Sequence, residues 1–174
     1  MTYTTVHLHV TPYPAPTSLR AIDYACALSK LFEAKLTVSS SHLAIRAPQH
    51  WIVGAMMSTM ARELETIATA KTQALELHVQ HEAVRQGIQV EIAHTSEHWP
   101  GGLIDNAWRG RVSDVCVLGL SPDSAEPRLY VEDWLFGAGR PCILYPDSSK
   151  QKFSADNVLI CWDFSRSAAR TVSD

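Results

Sequence analysis

The sequence predicts a three-layer α/β sandwich on a parallel sheet, and three observations carry that prediction. Short apolar or β-branched runs alternate with helix-period segments, in the order β-α-β-α-β-α-β-α-β up to Pro146. Alternation of this kind makes successive strands parallel, with crossover helices packed back on the sheet. The run Asp114-Val115-Cys116-Val117-Leu118-Gly119-Leu120 is almost unbroken in apolar character, as a strand covered on both faces requires. Finally, 174 residues with 46% hydrophobic content suffice to bury such a core without disulfide or metal staples.

Each element has its own signal. Tyr3 to Val10 alternates β-branched and apolar residues with histidine and reads as the first strand. Pro12, Pro14 and Pro16 then forbid a helix, and Thr17 or Ser18 can cap the one that follows. Leu19, Ile22, Ala25, Cys26, Leu28, Ser29 and Phe32 recur at helical spacing to about Ala34. Lys35 to Ser41 is the second strand. A proline-free stretch from Trp51 to Gln86 predicts a long helix, with Gly87 as its C-cap. Its apolar positions Met56, Met60, Leu64, Ile67, Ala68, Leu75 and Val79 are expected to face the core. Ile88 to His94 is the third strand, with Ile88, Val90 and Ile92 on one face. After the Pro100-Gly101-Gly102 breaker comes a short helix, Leu103 to Arg109. The fourth strand follows, then a helix from about Glu126 to Phe136, and a fifth strand, Pro141 to Tyr145. Parallel sheets of this class bind ligands beyond the carboxyl ends of their strands, where the chain reverses direction across the sheet.

The organisation expected is one domain over 1–146, a polar linker over 147–156, and the start of a second repeat over 157–174. In the last segment Val158 to Trp162 reads as a sixth strand, and an Ala-containing helix begins near Arg166. An apolar strand left alone invites aggregation, so Val158–Trp162 is expected to pair with a sheet edge.

Composition excludes several classes. The net charge of −3 argues against an electrostatic nucleic-acid binder. No apolar run reaches the roughly 18 to 20 residues of a membrane span. Met1 to Thr5 lacks the basic and apolar regions of a signal peptide, so a cytoplasmic location is expected. Cys26, Cys116, Cys142 and Cys161 form no C-x-x-C pair and no zinc framework, and read as reduced core residues.

Three segments resemble the universal stress protein family. Ser113-Asp114-Val115-Cys116-Val117-Leu118-Gly119 is similar to the family's "aDlvvlG". Phe136-Gly137-Ala138-Gly139-Arg140-Pro141-Cys142-Ile143-Leu144-Tyr145-Pro146 is similar to "sgrPvlvvP". The run from Val158 to Arg170 resembles "vlvawDgSreaaRa", the opening of a family domain. The resemblance implies a five-stranded sheet in order 3-2-1-4-5, of the adenine nucleotide alpha hydrolase type. It also implies a dimer, often formed through the fifth strands. In nucleotide-binding members an Asp ends the first strand, and a G-x-x-G-x9-G-[ST] run wraps the phosphates. Backbone N–H groups and a helix start supply the attraction for the anion.

This sequence departs from that pattern. Thr11 stands at the Asp position, and Pro122, which has no N–H, at the second glycine. Leu129-Tyr130 falls near the third glycine, and Asp123 and Glu126 put negative charge where phosphate would sit. Each change removes a donor or adds repulsion, so no cofactor is expected. The restarted repeat keeps Asp163 and Ser165 as its own candidates. The reading is therefore a non-enzymatic stress-response module that acts as a homodimer or on a protein partner, without nucleic acid or membrane. The alternative is a crevice for ATP, AMP or another small anion, with Thr11, Pro12, Ser41, Gly119, Ser121 and Arg128 as candidate contacts.

Eight histidines raise the question of metal. His42 and His94 fall near the ends of strands that are neighbours in a 3-2-1 order, and His78 and His81 share a helix face. No carboxylate or Cys stands at ligand spacing beside His42 and His94, so no metal is expected. There is no G-x-S-x-G, and Ser39-Ser40-Ser41 has no base partner in the sequence, so no catalytic residue is assigned. Trp51, Met56, Met57 and Met60 read as core, with an exposed association surface as the alternative.

Overall fold

The computed structural model describes residues 2–12, 15–45, 51–99, 107–121, 127–148, 159, 164–166 and 168–169, with backbone alone at 51–57, 96–99 and 127. The sheet consists of β1 (Thr5–Val10), β2 (Lys35–Ile45), β3 (Val90–Trp99), β4 (Val115–Leu120) and β5 (Cys142–Pro146). Its order is β3-β2-β1-β4-β5, and every pairing is parallel. The helices are α1 (Leu19–Leu31), α2 (Trp51–Gln86) and α3 (Pro127–Ala138), with a 3-10 turn over Ala107–Val112. No described helix is long and apolar enough to cross a membrane.

The two faces of the sheet bury different chemistry. Val6, Leu8 and Val10 of β1 join Leu36 and Val38 of β2 against Ile22, Ala25 and Leu28 of α1 and Leu75 and Val79 of α2. On the opposite face Cys116 and Leu118 pack with Ala107, Trp134 and Ala138. Because strand side chains alternate, His7 and His9 fall on that second face, beneath Trp134 of α3.

Local chemistry accounts for the element ends. Ser18 caps α1, its side chain accepting from the Ala21 N–H at 3.2 Å. Gly87 closes α2 at φ +70°, with Ile88 N donating to Ala83 O, a glycine-capped turn. Asp114 binds the N–H groups of Thr4 and Thr5 at 2.7 and 2.9 Å and so fixes the entry of β1 beside β4.

Three readings change. The core stripe of α2 is Ala61, Ala68, Thr72, Leu75, Val79 and Ala83, whereas Met60, Leu64 and Ile67 are exposed. Small residues face inward where this helix meets β2, so the larger apolar ones lie on the outer side. The structure describes no side chain at Trp51, Met56 or Met57. Strands β2 and β3 also run four and five residues further than expected, pairing out to Ile45 and Trp99. Only Ala107 to Arg109 of the expected Leu103–Arg109 helix is described, and it is a 3-10 turn that continues to Val112. Of the expected sixth strand, Leu159 alone is described; it is exposed and outside any strand.

Candidate functional site

The chain reverses direction across the sheet between β1 and β4, and their carboxyl ends carry Thr11 and Ser121. Thr11 donates its N–H to Thr17 Oγ1 at 3.0 Å and accepts the Thr17 N–H at 2.9 Å. These two hydrogen bonds tie Thr11 to Thr17, and Pro12 is buried. Gly119 sits opposite: a Cβ there would lie 3.0 Å from Ala21 Cβ and 3.4 Å from Thr17 Cγ2. The glycine is thus needed for α1 to approach β4, a packing reason that does not call on a phosphate. Ser121 is half-buried at the rim.

The other candidates sit on other elements. Ser41 is fully buried, with its Oγ 3.2 Å from Thr95 Oγ1 and 3.4 Å from His9 Nε2. Arg128 lies in the first turn of α3, exposed, and pairs with Glu132 at 2.6 Å. Ser165 caps a turn through the Ala168 N–H, at 3.0 Å. Asp163, Pro122, Asp123 and Glu126 lie outside the described residues, as does the loop that would carry phosphate.

On β1 and β2, beneath Trp134, runs a row of polar groups that the sequence reading missed. His7 Nδ1 contacts Thr37 Oγ1 at 3.0 Å, and its Nε2 contacts Ser39 Oγ at 3.0 Å. Ser39 Oγ also meets His9 Nδ1 at 2.9 Å. Ser39 therefore has two imidazole partners, correcting the expectation that it had none. The register of β1 on β2, His9 opposite Ser39, brings them together, and that pairing is visible only once the strands are in place. Ser39 and His9 are fully buried, and Trp134 lies over both rings at 5.4 Å from His7 and 5.2 Å from His9. Burial pushes the His7 imidazole down to about 3, helped by the neighbouring His9 and Arg109 charges, so it is neutral at ordinary pH and a weak base.

Two cysteines are adjacent, Cys116 opposite Cys142 on β4 and β5. Donating a hydrogen bond to Cys142, together with burial, raises the Cys116 thiol above its ordinary range, and accepting that bond lowers Cys142. Burial raises the Cys26 thiol to about 12, so it is inert. Cys161 lies outside the described residues.

A parallel five-stranded sheet in order 3-2-1-4-5, with α1 and α2 on one face and α3 on the other, defines the architecture. The universal stress protein UspA from Lactobacillus plantarum superposes with a TM-score of 0.59 at 16% identity, over 83% of this chain and 99% of that one. The fold is that of the universal stress proteins. A universal stress protein crystallised in complex with cAMP gives a TM-score of 0.51 at 16% identity, over 83% of this chain and 98% of that one. No protein-family model matches the sequence, and no curated protein does.

Proposed function

We propose that the protein is a non-enzymatic, cytoplasmic stress-response module that works by self-association or by engaging a protein partner through the β5 edge. The observation that carries this reading is the contrast between the two edges of the sheet. On the β3 edge Glu91 pairs with Lys35, and His94 is exposed, so charge and polarity guard it. The β5 edge reads Cys142-Ile143-Leu144-Tyr145-Pro146, with no charge, and among the described residues β5 pairs only with β4. Leu144 is 39% exposed there, and Phe136 at the end of α3 is 84% exposed. An unguarded apolar edge is a template for another strand. The non-enzymatic part of the reading draws support from Ser39, which is buried, and His7, whose imidazole is depressed, so this pair supplies neither an accessible nucleophile nor a competent base.

Native mass spectrometry of the full chain, paired with a denatured run, tests this. A dimer that carries no small molecule is expected; a monomer at micromolar concentration refutes self-association.

A second reading, a crevice for an adenine nucleotide or small anion, draws support from the cAMP-bound protein of the same fold. In this chain it would use Thr11, Gly119 and Ser121 at the strand ends. Calorimetric titration with ATP, ADP and AMP decides it: heat with saturation supports the crevice, and no heat removes it.

A further inference from the structure

We infer that His42, Glu76 and His94 form a binding site for a divalent transition-metal ion, zinc above others. The three side chains come from β2, α2 and β3 and meet on the α2 face of the sheet. The register explains the histidines. Ser40 lies opposite His94 and Ser96 opposite His42, so the two imidazoles are diagonal neighbours on one face. The helix explains the carboxylate. Thr72 Oγ1 donates to Ser41 O at 3.1 Å, which docks α2 on β2, and Glu76 is one helical turn further on the same face. This is the carboxylate that spacing along the chain did not reveal.

The geometry suits a metal. His42 Nε2 lies 3.2 Å from His94 Nδ1, and Glu76 Oε1 lies 3.1 Å from His94 Nδ1 and 3.9 Å from His42 Nε2. A point about 2.0 Å from all three atoms exists, which is the bond length zinc makes to imidazole nitrogen and carboxylate oxygen. Adjacent ligands on a tetrahedral zinc are about 3.3 Å apart, close to two of these edges.

Hydrogen bonding points the same way. With both rings neutral, the two facing nitrogens make one bond between them. Glu76 Oε1 is then buried with no hydrogen bond of acceptable geometry, although His94 Nδ1 is close. A dication would take all three lone pairs at once. Two imidazoles with one carboxylate is a donor set that suits zinc, and three protein ligands leave a fourth position for water. His94, 61% exposed, puts that position at the surface.

The test is zinc chloride competed against a chromogenic chelator on the untagged full chain, with cobalt(II) as a spectroscopic stand-in. One zinc per chain is expected, with cobalt giving the visible bands of a four-coordinate ion. His94→Gln and Glu76→Gln should each weaken zinc by more than about tenfold, since loss of even an outer-shell partner costs about 10- to 100-fold. His94 is exposed, so His94→Gln keeps the fold, and circular dichroism checks that it does. His81→Gln, on the exposed side of α2, should leave affinity unchanged. Failure to compete with the chelator overturns the proposal. So does zinc uptake that His94→Gln leaves within twofold, because the metal is then held elsewhere. The site is separate from the β5 edge, so the oligomeric state is not at stake in this experiment.

Discussion

Acid should unfold this protein early, and His7 is the reason. In the folded chain burial holds His7 neutral down to about pH 3, whereas in the unfolded chain it titrates near 6.5. Between those values the unfolded state binds more protons, so stability rises with pH. The contribution is complete above about pH 6.5 and is lost as pH falls toward 3. Integrating from pH 7.5 to 5 gives a loss of about 2 kcal/mol, and the ceiling at lower pH is about 5 kcal/mol. The window from 7.5 to 5 separates histidine titration from that of the lowered carboxylates, and the comparison with His7→Gln singles out His7. Glu82 and Asp114, both held below the usual carboxylate range, lose stability only as pH falls below their unfolded values near 4. The assay is urea unfolding at pH 7.5, 6.5, 5.5 and 5, on the natural chain and on His7→Gln. Gln retains a donor and an acceptor for Thr37 and Ser39, so the variant removes the titration while keeping a polar side chain. The natural chain should lose about 2 kcal/mol more than His7→Gln across that range. Equal slopes in the two proteins would refute the reasoning, since His7 would then be protonated in the folded state.

Other perturbations test the packing. Trp134 is fully buried over both histidines, so Trp134→Ala should destabilise by about 3–5 kcal/mol by chemical denaturation. At Gly110 a Cβ would lie 2.7 Å from Cys116 Sγ and 3.1 Å from Ala138 Cβ, so Gly110→Ala should cost about 1–3 kcal/mol in the same assay. Ser18→Ala removes the cap of α1 and should lower stability by about 1 kcal/mol, read as a drop in unfolding midpoint with unchanged slope.

Much of the fold could be read in advance because it depends on local pattern. The β4 run is apolar on both faces, and Gly87 ends α2 where a left-handed residue is needed. The limits of β2 and β3 escaped because the polar run Ser39 to His42 interrupts β2 and the end of β3, from Thr95, is mostly polar; the two strands stay paired to each other after β1 has ended. The inward face of α2 escaped because hydrophobicity ranks Met60 and Ile67 above Ala61 and Thr72. Close docking of a helix on a strand ranks them the other way. Thr11 and Gly119 lie where expected, at the ends of β1 and β4. The partners of Ser39 and of His42 are set by strand register and helix docking, and no spacing along the chain encodes them.

The most direct test of the association reading is sedimentation velocity on the full chain and on Leu144→Lys. Leu144 is partly exposed on the uncharged β5 edge, and a lysine there guards an edge without opening the core. A dimer that becomes a folded monomer in Leu144→Lys is the predicted result. A dimer that persists unchanged in Leu144→Lys, or a monomer in both, would contradict the claim that the protein works through this edge.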